Sequence, residues 1–380
     1  ASTAQVDLTI DKTIPDILQG AETASFDFRV TGPNGYDEIH TISFAAGETA
    51  KSLTIADLAP GTYNVNEQEQ TGWVDPDGAT GVDKDLNLPT CSGTVSYDNA
   101  IDPANAAVNK ITVPAGSEDG WEFTLNGPGG GETVTTVGGT ATFTTDLQEG
   151  DYTISETPQT GWDLTDVTDP LNDDGDLVCE FSVNYPGDAG ATFTCAFENT
   201  KRGKIIVEKV TDPAGSPQAF TFTSDYGPDF DLSHGESNDS GDLVPGTYAV
   251  SESVPAGWDL TSATCDDGSD PASIGLSAGE TVTCTFNNQQ DANIIVQKET
   301  DPDGSTQVFS FTSDYGSDFS LSDGQSNDSG DLDPGTYAVS ESVPAGWDLT
   351  SATCDDDSDP SAIGLSAGET VTCTFNNQQD

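Results

Sequence analysis

Pro245-Gly246-Thr247-Tyr248-Ala249-Val250-Ser251-Glu252-Ser253-Val254-Pro255-Ala256-Gly257-Trp258 decides the reading of this chain, because the chain repeats it. The stretch returns almost unchanged from Pro334 to Trp347. Looser copies run Pro60-Gly61-Thr62-Tyr63-Asn64-Val65-Asn66-Glu67 with Gly72-Trp73, and Gly150-Asp151-Tyr152-Thr153-Ile154-Ser155-Glu156 with Gly161-Trp162. Each copy reads as a Gly turn, a strand in strict alternation and a Gly-Trp corner. Side chains on a strand alternate with a period of two, so Tyr248, Val250 and Glu252 share one face. The large apolar residues on that face predict that it looks into a core. A glutamate stands on it in all four copies.

Outward from these copies the chain divides into four units, 1–101, 102–201, 202–290 and 291–380, the last two nearly the same sequence. Repeats this similar predict a string of small domains rather than one mixed core. Within a unit, short alternating runs such as Ile205 to Val210, Ala219 to Thr223, Thr247 to Ser253 and Thr281 to Asn287 are separated by Gly, Pro, Asp and Asn turns, with no helical period. About seven strands in about 90 residues predict an antiparallel β-sandwich, all-β throughout. Asn99, Asn199 and Asn288 close the last strands, and about ten residues later Lys110, Lys209 and Lys298 lie in the next first strands. Linkers this short predict a semi-rigid rod of four tandem domains.

Composition narrows the function. The 380 residues carry a formal net charge of −56, with 7 cysteines, no methionine and two histidines. With no basic patch to neutralise phosphates, nucleic acid is excluded as a partner. No apolar run is long enough to insert into a membrane. The charge suits solubility, mutual repulsion and counter-ion or calcium binding, and adaptation to a salt-rich habitat accounts for it as well. Ala1 opens no charged and apolar leader, so the chain reads as a mature form. Covalent sorting to a wall is not expected, since no sorting signal or hydrophobic tail is read in these residues. Cys265 and Cys284 recur as Cys354 and Cys373, and Cys179 and Cys195 form a comparable pair. Paired cysteines in small repeats, without CxxC clusters, read as disulfides in an oxidising, extracellular compartment. Cys91 has no mate, since Val95 stands where one is expected, and it reads as a free, buried thiol or a link to another chain.

Lysine is scarce, so its placement is informative. Lys12, Lys110, Lys209 and Lys298 occupy one position in the four first strands, in alternation with Leu8 and Ile10, or with Ile205 and Val207. The last strands carry Val95, Tyr97 and Asn99; Cys195, Phe197 and Asn199; Cys284, Phe286 and Asn288; and Cys373, Phe375 and Asn377, each set on one face. Every unit thus points a Lys, a Glu and an Asn at its own core. A buried charge costs several kcal/mol unless paired. A hydrogen-bonded Lys–Glu–Asn cluster is one solution. The other removes the charges: burial lowers the lysine pKa and raises that of the glutamate, and a neutral amine attacks the Asn carboxamide while Glu polarises it and shuttles protons. Both readings stand at this point. Asn287 and Asn376 adjoin the candidates and would replace them after a one-residue slip.

The order of a first-strand Lys, Gly-x-Tyr-x-Val-x-Glu before a Pro-x-Gly-aromatic corner, and a terminal Asn resembles the CnaB/SpaA-type prealbumin-like (Ig-like) domains of bacterial surface and pilus proteins. The resemblance covers all four units. Those domains build pilus shafts and adhesin stalks, and many crosslink themselves. It implies the triads Lys12/Glu67/Asn99, Lys110/Glu156/Asn199, Lys209/Glu252/Asn288 and Lys298/Glu341/Asn377, with each Glu the autocatalytic group of a Lys–Asn isopeptide bond. The paired cysteines depart from the usual pilus shaft, and a disulfide could replace the isopeptide as the staple.

Other motifs say less. Asp75-Pro76-Asp77-Gly78, Asn172-Asp173-Asp174-Gly175-Asp176 and Asp301-Pro302-Asp303-Gly304 offer oxygen ligands for calcium, yet Asp-Gly pairs are also ordinary turns. No other cofactor is expected. Asn238-Asp239-Ser240 and Asn327-Asp328-Ser329 are glycosylation sequons at matching loop positions, at Asn238 and Asn327. Trp73, Trp162, Trp258 and Trp347 read as caps of the sandwich end rather than sugar platforms. His234 is replaced by Asp323 in the next unit, so histidine catalysis is not expected, nor is an enzyme. The expectation is an extracellular structural protein, a subunit of a filament that associates head to tail or the stalk of a cell-surface appendage; an adhesin or glycan-binding module is the alternative.

Overall fold

The protein was analysed as a computed structural model, which describes residues 5–77, 79–170 and 177–380. The acidic run Asn172 to Asp176 and Gly78 of the Asp75 loop lie outside the described residues. The chain forms two compact units, one ending at Thr200 and one beginning at Lys201. Each holds two hydrophobic cores, the buried residues of each lying within one β-sandwich repeat, and in the first unit the half-buried Ile17 and Ile101 pack against both. Among the described residues the one helical element is a short 3-10 turn, Pro33–Gly35.

In the third repeat one sheet has the order Ser237–Asp239, Lys204–Asp212, Thr281–Gln290 and Trp258–Cys265. The facing sheet has the order Phe230–Leu232, Phe220–Ser224 and Val250–Ser253. The fourth repeat reproduces this arrangement; in the first two the facing sheet gains a fourth strand, Asp83–Leu88 or Cys179–Val183, and in the first repeat the other sheet has three strands, with Trp73–Val74 paired separately to Ala100–Ile101. Inward positions along Lys204–Asp212 and Thr281–Gln290 are buried at every second residue, as the alternation predicts. The sheets are not wholly antiparallel. The first and last strands of every repeat run parallel, side by side: Lys12 pairs with Tyr97, Lys110 with Phe197, Lys209 with Phe286 and Lys298 with Phe375. A parallel pair needs a long crossover, and here the crossover is the rest of the repeat.

The opening motif departs from its predicted form in the last two repeats. Gly61–Glu67 and Gly150–Glu156 are single strands, but the third copy splits into Gly246–Tyr248 and Val250–Ser253. Gly246–Tyr248 pairs with Ile274–Leu276, whereas Val250–Ser253 pairs with Phe220–Ser224. The change of partner falls at Ala249, whose N–H donates to the Asp225 carboxylate at 3.0 Å while its carbonyl accepts from Asp225 N–H at 3.2 Å. Asp314 holds Ala338 in the same way. Alternation survives the break, because Val250 is buried and the Glu252 side chain is fully enclosed. Tyr248 becomes half-buried, whereas Tyr63 and Tyr152 are in the core. Its hydroxyl donates to the Val244 carbonyl four residues back, as Tyr63 donates to Ala59.

The Gly-Trp corner needs its glycine. Gly72, Gly161, Gly257 and Gly346 adopt φ of 79°, 79°, 81° and 86°, where an L side chain is strained. Gly72 O accepts the Asp102 N–H at 3.0 Å and Gly257 O accepts the Asp291 N–H at 3.0 Å, so the corner also pins the start of the following linker within its unit.

Candidate functional site

The register of the parallel pair assembles the site. Lys209 lies directly beside Phe286, so Asn288, two residues further along, shares its face on the neighbouring strand. Glu252 reaches the same point from the facing sheet, where it pairs with the buried Phe222. Lys110 Nζ donates to Asn199 Oδ1 at 2.6 Å, Lys209 to Asn288 at 2.6 Å and Lys298 to Asn377 at 2.7 Å; Lys12 donates to Asn99 in the same way. The glutamates stand at 3.2 Å (Lys12–Glu67), 3.3 Å (Lys110–Glu156), 3.5 Å (Lys209–Glu252) and 3.6 Å (Lys298–Glu341) from the amines. All twelve residues named from the sequence therefore meet as four clusters. Asn287 and Asn376 point outward, each amide donating to an exposed serine hydroxyl, Ser262 or Ser351, at 2.9 Å.

These charges have no water to share. The side chains of all four lysines are 0% exposed and those of the glutamates between 0% and 5%. Burial lowers the pKa of Lys12, Lys110, Lys209 and Lys298, against the raising pull of each paired Glu. Burial likewise raises the pKa of Glu67, Glu156, Glu252 and Glu341, against the pull of lysine and asparagine. Both shifts favour a neutral amine beside a protonated carboxyl. In the second repeat Asn199 Nδ2 donates to Glu156 Oε1 at 2.6 Å. Among the described residues, neither oxygen of Glu252 or Glu341 accepts a hydrogen bond, and Asn288 Nδ2 and Asn377 Nδ2 donate none. Buried polar atoms left this way are costly and call for an account.

An aromatic ring completes each cluster, and the sequence reading missed it. Lys12 Nζ lies 4.6 Å from the centroid of Phe26, Lys110 4.3 Å from Trp121, Lys209 4.1 Å from Phe220 and Lys298 4.2 Å from Phe309. The available signal was an aromatic-x-aromatic pair in every unit: Phe26-x-Phe28, Trp121-x-Phe123, Phe220-x-Phe222 and Phe309-x-Phe311. The second ring packs on the last strand, against Tyr97, Phe197, Phe286 or Phe375, at 4.8–5.2 Å. The corner tryptophans meet the first ring edge-on: Trp73 on Phe26, Trp162 on Trp121, Trp258 on Phe220 and Trp347 on Phe309. Trp73, Trp258 and Trp347 are buried and Trp162 is half-buried, so they serve the core.

The cysteines pair as Cys179–Cys195, Cys265–Cys284 and Cys354–Cys373. The first is not comparable with the others. It joins strands of the two facing sheets, whereas Cys265 and Cys284 are direct cross-strand partners in one sheet. Cys91 is free but exposed, not buried, because it lies in the turn before Gly93–Asp98 instead of on an inward strand position. The sequons are on edge strands, not loops. Asn238 pairs with the buried Val207 and Asn327 with Val296, which leaves both asparagines half-buried. His234 has a structural role: its Nδ1 accepts the Thr211 N–H at 2.9 Å, as Asp323 accepts that of Thr300 at 2.6 Å. The Asp301 turn is tied down by Asp323, which accepts the Gly304 N–H at 2.6 Å, and Asp75 accepts that of Asp77 at 3.0 Å. Among the described residues the one carboxylate trio close enough to share a cation is Asp259, Asp291 and Asp333, within 4.8 Å of one another and outside those loops.

A search of curated proteins by sequence finds no match. By structure the chain is similar to the TIE protein of Bacillus anthracis, at 15% identity over 94% of this chain and 69% of that one, with a TM-score of 0.37. It is also similar to the major pilin T-13 of Streptococcus pyogenes, at 15% identity over 53% of this chain and 100% of that one, with a TM-score of 0.23. Two B repeat units of the collagen-binding protein of Staphylococcus aureus match at 14% identity over 98% of this chain and 99% of theirs, with a TM-score of 0.17. The family model of a SpaA-type prealbumin-like fold domain matches twice, over 205–290 and 294–379. Each match spans a first-strand lysine, its glutamate and its asparagine, and these two segments belong to the prealbumin-like fold domain family.

Proposed function

We propose that this protein is an extracellular structural protein, a subunit of a surface filament or stalk, in which every repeat is closed by a Lys–Asn isopeptide bond. The observation that carries the proposal is the buried Lys–Glu–Asn cluster at the same point of all four repeats, between the first strand and the last. The division into 1–101, 102–201, 202–290 and 291–380 belongs to the same reading. In each repeat the neutral lysine Nζ attacks the Asn Cγ, and Glu holds the carboxamide polarised. An Nζ–Cγ amide bond forms, the Cγ–Nδ2 bond breaks, and Glu passes the amine proton to Nδ2, which leaves as ammonia. Lysine and asparagine are already neighbours in the fold, so the step is intramolecular.

The placement gives the bond a mechanical purpose. Tension along a filament enters a repeat through its first strand and leaves through its last. A Lys209–Asn288 bond joins two residues 79 positions apart and passes the load directly between them, which keeps the segment between them out of its path. The disulfides do not substitute for it. Cys265–Cys284 ties the last strand to its other neighbour, and Cys179–Cys195 ties sheet to sheet, so neither links first strand to last. Three disulfides favour an oxidising compartment outside the cell. Assembly runs head to tail, because a heterologous contact that does not close gives a fibre.

The test is the intact mass of the reduced, alkylated protein. A deficit of about 17 Da for each of the four repeats, with linked Lys–Asn peptides after digestion, is expected from the loss of ammonia. A mass equal to that of the sequence overturns the crosslinked filament.

A further inference from the structure

We propose that Phe26, Trp121, Phe220 and Phe309 are positioning residues for the lysine of their own repeats, each ring forming the wall that holds the amine against the asparagine. The inference rests on the crosslinking reading above and adds residues to it. In four repeats, of which the first two have diverged from each other and from the near-identical last two, and with Trp in place of Phe in one, the ring centroid keeps to 4.1–4.6 Å from Nζ. The amine is held by oxygen atoms as well. Lys209 Nζ lies 2.9 Å from Val210 O, 3.3 Å from Phe286 O and 2.6 Å from Asn288 Oδ1, and Lys298 repeats the set with Glu299 O, Phe375 O and Asn377 Oδ1; the neutral amine has two N–H groups to share among the three.

A lysine stem has four carbons and many rotamers. A flat ring face and a set of oxygen partners restrict where its nitrogen can sit and keep it beside the carboxamide it is to attack, the positioning an intramolecular reaction needs. The ring is itself held in place. The edges of Trp73, Trp162, Trp258 and Trp347 meet it at centroid distances of 5.2, 5.5, 5.1 and 5.4 Å. The Gly-Trp corner therefore acts on the lysine at one remove. An aliphatic side chain of similar volume fills the space but offers no flat wall.

The test uses the full chain, synthesised in a cell-free system and sampled over time, with digestion and mass spectrometry reading the linked peptide of each repeat separately. The three unaltered repeats are internal controls. Phe220→Leu and Phe220→Met slow the appearance of the Lys209–Asn288 peptide by about tenfold or more, since a misplacement of about 1 Å can cost a hundredfold. Phe220→Trp, which copies the second repeat, restores the rate. Phe222→Leu removes the neighbouring inward ring, which packs on Phe230 and Phe286; it lowers stability without slowing the bond. Formation of the Cys265–Cys284 disulfide and the denaturation midpoint report folding in every variant, and Phe220→Met covers the case in which Phe220→Leu fails to fold. A wild-type rate in Phe220→Met, or equal slowing by Phe222→Leu, overturns the proposal. An unaltered chain that never loses ammonia is a different result: it overturns the crosslinking reading, and this inference falls with it.

Discussion

Replacing Glu252 by alanine tests the chemistry and the energetics together. Two losses follow. The variant leaves an uncrosslinked Lys209 buried without its polar partner, at about 3–5 kcal/mol where that lysine is charged. Without the proton shuttle the bond does not form, and the closure of a loop whose ends are 79 residues apart is lost. The chain-entropy relation for crosslinks gives about 3 kcal/mol for 15 residues and about 4.7 for 100, hence about 4.5 here. The sum, about 8 kcal/mol, is comparable with the whole stability of a small domain, about 5–15 kcal/mol. The third repeat of Glu252→Ala is therefore expected to be open to protease while the other three resist. Lys209→Met with Glu252→Leu separates the two losses. It replaces the buried pair with apolar groups, which is close to neutral, and loses only the closure, about 4.5 kcal/mol. The assay is intact mass together with chemical denaturation followed by pulse proteolysis. Ammonia loss in the third repeat of Glu252→Ala would refute the role given to the carboxyl. Equal stability of wild type and the double variant would show that no covalent closure contributes.

Three further outcomes are expected. In Lys209→Met the uncrosslinked Glu252 keeps a folded-state pKa raised by burial. Its contribution is fully present below the ordinary glutamate value and lost as pH rises through the raised one, so the melting temperature of Lys209→Met should fall relative to Lys209→Met/Glu252→Gln as pH rises from about 4.5; parallel curves would count against a buried acid. Burial pushes Glu132 up, but hydrogen bonds from the backbone and hydroxyls of Thr144 and Thr145 more than offset it and hold the group at about 2. Its stabilisation is present above the ordinary value and fades as pH falls toward about 2, so Glu132→Gln should cost most at neutral pH and least in acid, as read by thermal melts. His234→Ala should lose about 1 kcal/mol by uncapping Thr211 N–H, and His234→Asp, which copies the fourth repeat, should not; denaturant midpoints that rank the other way would remove the structural role of His234.

Much of the site could be read in the sequence, because a strand's period of two assigns each side chain to a face wherever the strand is straight. Lys209, Glu252 and Asn288 recur at fixed places in four copies, and the only inward route for three polar groups in one small sandwich is to meet. The same rule failed where chain direction or partner choice mattered. Alternation runs unchanged through Ala249 and Ala338, so the exchange of strand partners there left no trace in the pattern. Cysteine spacing of 16 against 19 residues could not reveal that one disulfide crosses between sheets and the others lie within one.

The sequence by itself determined the repeat, the all-β class, the inward faces and the twelve residues of the clusters, since these follow from local periodicity and from the cost of burying charge. Only the tertiary structure decided that the first and last strands lie parallel as neighbours, so that an offset of two residues brings Lys209 to Asn288 and sets Asn287 aside. It also decided which aromatic ring faces the amine. Phe220 and Phe222 both point inward from one strand and are equivalent by pattern. Packing between the sheets sets them apart, one under the lysine and braced by Trp258, the other against Phe286.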